Sequence, residues 1–342
     1  MEVVVQLETD VVELTCVQRP LEAPEIVFEK KFSPNLTDPS GKSLFRGVDV
    51  EVGKAIKRIT PETNASRVNV TFVMPGSLRP PDTVVRVSRL NIRQECNVTE
   101  CLSEKSARYT LVNDVLASAM GHIHYSLDSD LTEDWENKVI LYIYVNEGIG
   151  SLILANSRPI RGAGFAGPFG HVIVEPKGQY FDDFRARGAL ETYSSRPWIS
   201  ANIVNRFFTE RHKFDEEKTG LTSSSLRRAL EEIDLERKHS LSIDQINVGV
   251  DTNDNLALSA LHDATDYLGL AISHLIVALN PHLIVLDGGV IHNVKGYFDH
   301  TIHAIKKYTY VDGWNSTRIV RSQNSPENTI YGAIHAGTLQ RG

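Results

Sequence analysis

Twice along its 342 residues the chain repeats one opening pattern. Val3–Leu7 and Val11–Val17 are β-branched runs parted by the polar Glu8-Thr9-Asp10. Lys138–Val145 and Ser151–Ala155 are apolar runs joined by Asn146-Glu147-Gly148-Ile149-Gly150. Each pair reads as strand, tight turn, strand. Helical spacing follows the first pair over Arg46–Ile59 and Asp114–Tyr125, and follows the second over Trp198–Phe214, Ser224–Glu232 and Asn255–Leu279. A hairpin followed by helices, met twice, is what a duplicated α/β architecture leaves in sequence. The length and a 41% hydrophobic content predict two domains with sizeable cores. The expected division is an N-terminal lobe over 1–115, completed by a C-terminal helix at about 325–342, and a C-terminal lobe over 116–324.

The remaining punctuation fits that division. Arg67–Val73 reads as a buried strand closed by Pro75-Gly76, and Asn113-Asp114 falls where a strand end meets a helix start, a place that N-capping alone can explain. Arg161–Gly170 is glycine-rich, and Arg237–Asp254 is the least patterned stretch, a loop around a short helix. The long helix must stop at Asn280-Pro281, because proline cannot continue it. Leu283–Leu286 then forms a buried strand ending in Asp287-Gly288-Gly289, and Ile330–Leu339 is a last helix expected to pack on the first lobe.

Lys and Arg total 36 against 43 Asp and Glu, a net charge of −7, so no global positive field gathers phosphate backbones or anionic lipid. Direct nucleic-acid binding by this chain is not expected. MEVVVQLETD lacks the features of a signal peptide, and no apolar run is long enough to span a bilayer, so neither a membrane nor export is expected and the location reads as cytoplasmic. Cys16, Cys96 and Cys101, an odd number in a long chain, suit reduced thiols.

The ordered set of Gly148-Ile149-Gly150, Arg161-Gly162-Ala163-Gly164, Gly170-His171 and Gly188-Ala189-Leu190-Glu191 resembles the ROK family of bacterial sugar kinases and sugar-responsive repressors. So does Asp254-Asn255-Leu256-Ala257 running through Asn280-Pro281 to Ile284-Val285-Leu286-Asp287-Gly288-Gly289-Val290. The resemblance covers nearly the whole chain. It implies an actin-like ATPase (ribonuclease H-like) fold, α/β and two-lobed with a central cleft, and a homodimer. It also implies that Asp114 matches the general base that takes a proton from a sugar hydroxyl in the kinases. Pro75, Gly76, Asn91, Asn113, His171 and Glu191 match the sugar-binding positions, and Gly148, Gly150, Gly288 and Gly289 match the nucleotide-side positions.

Three departures from the family pattern shape the expected function. Pro168 stands where the family has a glutamate, which removes hydroxyl contacts worth about 1–3 kcal/mol each. Gln6-Leu7-Glu8-Thr9-Asp10 replaces an Asp-x-Gly-x-Thr/Lys phosphate turn whose glycine lets backbone N–H groups approach phosphate, so ATP and Mg²⁺ are expected only if the chain is a kinase after all. No cysteine follows Cys101, so the family's Cys-rich zinc stretch is lost, and Phe181–Ala189 offers Asp182, Asp183 and aromatic packing instead. No metal is therefore expected. The expected function is a sugar-binding sensor or effector domain that regulates carbohydrate-utilisation genes, with an active hexose or N-acetylhexosamine kinase as the alternative. The repressors carry a DNA-reading helix ahead of this domain, whereas here the first family-like strand starts at Val3, so such a domain is expected to be absent or carried elsewhere.

Overall fold

The computed structural model describes residues 1–8, 10–18, 24–59, 68–79, 81–103, 107–125, 135–162, 166–181, 185–210, 226, 230, 240–323 and 325–341. They form two compact units, one of Met1–Thr132, Arg161–Ala166 and Ser325–Gly342, the other of Glu133–Ile160 and Gly167–Asn324. The boundary expected at 115/116 is displaced. The helix that begins at Asp114 packs on the C-terminal helix and stays with the first unit, so the chain crosses over only after it.

The first unit is built on strands β1 (Glu2–Leu7), β2 (Val12–Gln18), β3 (Glu25–Phe32), β4 (Val68–Met74) and β8 (Ala107–Asn113), in the order β3-β2-β1-β4-β8. The first three are antiparallel neighbours, whereas β4 joins β1 in parallel and β8 joins β4 in parallel. Val3, Val4 and Val5 are all fully buried, as befits a sheet covered on both faces. Helix α1 (Lys42–Ile59) covers one face, where Phe45 meets Phe72 edge-on at 5.9 Å. Helix α2 (Asp114–Tyr125) and the C-terminal helix cover the other, the latter held by Arg341 bonded to Thr71 and Glu2. A small sheet of β5 (Ser77–Arg79), β6 (Thr83–Arg86) and β7 (Cys96–Asn97) flanks the end of β4.

The second unit repeats the plan. Strands β9 (Val139–Val145), β10 (Ile149–Ala155), β11 (Arg158–Pro159), β14 (Leu283–Asp287) and β15 (Arg318–Arg321) lie in the order β11-β10-β9-β14-β15, again three antiparallel and then two parallel. A two-stranded hairpin, β12 (Tyr180–Phe181) with β13 (Ala186–Arg187), lies apart from this sheet. Helices α3 (Glu191–Ser194), α4 (Arg196–Glu210), α5 (Ile243–Asp251), α6 (Asn255–Leu279), α7 (Gly289–Asn293), α8 (Tyr297–Tyr308) and α9 (Val311–Ser316) belong to it, and α10 (Pro326–Arg341) is the C-terminal helix of the first unit.

The spine of the second unit is α6, which buries Leu256, Ala260, Leu261, Ala264, Leu268, Ile272 and Ile276 along one stripe. Asp254 caps its start by accepting from the N–H groups of Leu256 (2.9 Å) and Ala257 (3.2 Å). Asn280 ends it in the left-handed conformation just before Pro281. Sequence patterning places α2 and α6 with these bounds, but it does not show β3, β15, α8 or α9, and it starts α1, α4 and α10 two to four residues late. Most of the helix expected over Ser224–Glu232 lies outside the described residues, as does the end of the one expected to reach Phe214. Among the described residues no helix is long and apolar enough to cross a membrane.

Candidate functional site

In the first unit the candidate residues gather at the C-terminal ends of the parallel strands, where open α/β sheets bind ligands. Met74, the last residue of β4, lies beside Asn113, the last of β8. The Asn113 amide oxygen accepts from the N–H groups of Val115 (3.0 Å) and Leu116 (3.3 Å), so it is the N-cap of α2, and its Nδ2 donates to the Gly76 carbonyl at 3.4 Å. That bond ties the cap to the Pro75-Gly76 turn. Gly76 has φ +92°, and a Cβ there would stand 2.6 Å from the Arg86 carbonyl, so only glycine fits. Asn91 sits at φ 54° in the tight loop closed by Val87 and Ile92, and its amide donates to the Leu36 carbonyl (3.0 Å) and accepts from Arg93 Nε (3.2 Å). Its side chain thus serves the turn.

Asp114 is the first helical residue of α2 and shares the Val115 N–H with the Asn113 cap. Its carboxylate accepts from the Val115 N–H at 2.8 Å. Burial pushes its carboxyl above the usual range, against the opposing pull of that N–H and of the Arg89 guanidinium. The β1–β2 turn, closed by the Glu8 N–H on the Val11 carbonyl (3.0 Å), comes within electrostatic reach. The Glu8 carboxyl is raised by desolvation, then by the carboxylates of Glu13 and Asp114, with Lys31 pulling the other way.

In the second unit, Glu191 packs against Gly170, the chain neighbour of His171. Ile173 bridges Ala189 in antiparallel register and the Leu190 N–H donates to the Val172 carbonyl at 2.8 Å, just before α3 begins at Glu191. His171 ends a short 3₁₀ turn that starts at Pro168, whose carbonyl accepts the His171 N–H at 3.0 Å. The residue is exposed. Glu191 reaches back to the β9–β10 hairpin, where its Oε2 accepts the Ile149 N–H at 3.0 Å. Gly170 makes room for it, since a Cβ there would stand 2.7 Å from that oxygen.

The nucleotide-side candidates also converge. Gly148 lies in the hairpin turn and Gly150 in β10 opposite Tyr144, and Gly288 and Gly289 pack on the end of β9: a Cβ at Gly288 would meet the Val145 carbonyl at 2.3 Å and one at Gly289 the Asn146 Oδ1 at 2.8 Å. Close packing alone accounts for these two glycines. Two neighbours were not evident in the sequence. Arg196, at the start of α4, grips both carboxylate oxygens of Glu147 and donates its N–H to the Asn146 carbonyl at 2.8 Å, so the hairpin carboxylate is already neutralised. Asp287 accepts from Tyr142, Ser322 and His292. Burial would raise its carboxyl, but these bonds and the Gly288 N–H hold it below the usual range. A lone Arg-Pro or Asp-Gly-Gly in sequence gives no sign of such partners.

Among the described residues no three His, Cys, Asp or Glu side chains come together in a group that could hold a metal ion. Asp182 and Asp183 lie outside those residues, and the flanking Phe181 packs edge-on against Trp198 at 6.0 Å.

Two α/β units with the same five-strand order define a protein of the actin-like ATPase fold. The sequence model of the ROK family matches residues 47–336, and the chain belongs to that family. A glucokinase of Halalkalibacterium halodurans is 34% identical over 154 residues, 45% of this chain and 42% of that protein, so the match spans less than half the relative's length. Among solved structures, a ROK family transcriptional regulator, a homologue of the E. coli MLC protein, superposes with a TM-score of 0.74 at 18% identity, covering 99% of this chain and 78% of that one. A ROK hexokinase from Thermus thermophilus superposes at 0.70 and 18% identity, covering 99% and 98%. Kinases and regulators thus share this fold.

Proposed function

We propose that the chain is a sugar-binding sensor domain that has given up phosphoryl transfer, of the kind that regulates carbohydrate-utilisation genes. One observation carries the non-catalytic half of the reading: the β1–β2 turn holds Glu8 within electrostatic reach of Asp114, and each carboxylate added there opposes the approach of a triphosphate. The glycine that would open such a turn to phosphate is missing as well. Sugar-binding groups are assigned within each unit by itself: Asp114 beside the Asn113 cap in the first, and His171 with Glu191 in the second. A carboxylate, an imidazole and an amide offer the mixed donors and acceptors a sugar ring needs.

A second reading, an ATP-dependent hexose or N-acetylhexosamine kinase, has its own support in Asp114. A carboxyl raised by burial is a better proton acceptor at neutral pH than an ordinary aspartate, provided it is ionised. If so, Arg196 would help by silencing the Glu147 charge at the hairpin tip.

A coupled ADP-release assay over a panel of hexoses and N-acetylhexosamines, run beside thermal melting with the same sugars, separates the two. The sensor predicts a sugar-dependent rise in Tm without turnover. Turnover that Asp114→Asn abolishes would establish the kinase. Homodimerisation belongs to the same proposal and is read from sedimentation velocity.

A further inference from the structure

Cys96 ends its side chain 3.8 Å from that of Cys101, Sγ to Sγ, and both are buried, at 2% and 7% exposure. The two thiols come from different local structures. Cys96 is in β7, paired to Val84 of β6, and Cys101 closes the short 3₁₀ turn Thr99–Cys101, its N–H on the Val98 carbonyl at 2.9 Å. The turn folds the chain back so that residues five apart meet side chain to side chain. A disulfide needs the sulfurs at about 2.05 Å, so the two have to close in from 3.8 Å. The Cys101 thiol otherwise has only a weak bond to the Asn97 carbonyl at 3.6 Å to lose.

We propose that Cys96 and Cys101 form an oxidisable dithiol that a hydroperoxide converts to an intrachain disulfide. Cys101, the more accessible, is the attacking sulfur. The Cys101 thiol gives up its proton and the thiolate attacks one oxygen of hydrogen peroxide; the O–O bond breaks and the departing hydroxide takes up that proton, giving a sulfenic acid and water. The Cys96 sulfur then attacks the sulfenic sulfur, an S–S bond forms, and the departing hydroxide takes the Cys96 proton as a second water. Two thiols lose two electrons and one peroxide gains them. The order of events follows the surroundings. Burial, followed by the neighbouring Cys101, pushes the Cys96 thiol up to about 12, which keeps it protonated and makes it the resolving partner.

Cys16 supplies an internal control. It lies in β2, between β3 and β1 of the five-stranded sheet, where burial alone pushes its thiol up to about 12. The crosslink would sit in the small sheet that also supports Gly76 and Asn91, because β6 runs into Val87, which packs against Gly76 and pairs with Ile92. The inference stands apart from the sugar reading and is tested without it.

The folded chain is treated with hydrogen peroxide, alkylated under denaturing conditions and mapped by mass spectrometry. The expected result is a Cys96–Cys101 disulfide, 2 Da lighter than the dithiol, with one of three thiols left to titrate and all three restored by dithiothreitol. Cys101→Ser should keep its two remaining thiols through the same treatment. Three titratable thiols after treatment, a sulfinic or sulfonic Cys101 without the crosslink, or a disulfide seen only when the chain is oxidised in urea would each overturn the proposal.

Discussion

Gly170→Ala tests whether the Glu191 carboxylate belongs to a ligand site or merely to a turn. The added Cβ would stand 2.7 Å from Glu191 Oε2, 3.2 Å from Glu191 Cβ and 2.9 Å from the Ile149 carbonyl. Backbone in a sheet hairpin yields less readily than a side chain, so the carboxylate is the group that moves. Moving it breaks the 3.0 Å bond from the Ile149 N–H and carries the acceptor away from the Gly170-His171 turn. A hydrogen bond to a charged group contributes about 1.5–3 kcal/mol, so losing one such contact to a sugar hydroxyl weakens binding about 10- to 150-fold. Crowding itself costs about 1–3 kcal/mol of stability. Calorimetric titration with the sugar that raises Tm most, alongside melting without sugar, reads the two effects apart. A variant with lowered Tm but a Kd within twofold of the parent would refute the role given to Glu191.

Three further outcomes follow from the same geometry. Asp114→Asn should raise stability at neutral pH: a carboxyl raised in the folded state contributes full stability only below its unfolded pKa of about 3.9 and loses it as pH rises through the folded value. Urea unfolding at acid and neutral pH should show the gain growing with pH, and a gain equal at all pH would contradict the burial of that carboxyl. Asn113→Ala removes the N-cap of α2 and should cost about 1 kcal/mol by the same measurement, with little loss pointing to capping by another group. Arg341→Ala strips the buried Glu2 of two 3.1 Å contacts and should cost about 3–5 kcal/mol, while the double change Glu2→Gln and Arg341→Met should recover part of it; no recovery would mean that Arg341 acts through packing alone.

The sequence reveals what depends on local period and misses what depends on distant partners. The long helix Asn255–Leu279 is legible because its apolar stripe, its Asp254 cap and its Asn280-Pro281 stop agree. Strand Glu25–Phe32 is hidden because it lies at the sheet edge with no residue fully buried. Helix Tyr297–Tyr308 hides for another reason: two of its four buried positions are Thr301 and Ala304, which give little hydrophobic signal among two histidines and two lysines. The same holds at the candidate site. Asn113-Asp114 and the Gly170-His171 pair could be picked out where they stand. The grip of Arg196 on Glu147, 49 residues away, and the nearness of Glu8 to Asp114 exist only once the strands have paired.

Calorimetric titration of hexoses and N-acetylhexosamines into the chain without nucleotide tests the central claim most directly. The account predicts saturable binding of at least one sugar, weakened at least tenfold in both Asp114→Ala and Glu191→Gln while each variant keeps a cooperative melt. Sugars that bind the parent and both variants alike, or heats indistinguishable from dilution across the whole panel, would contradict it.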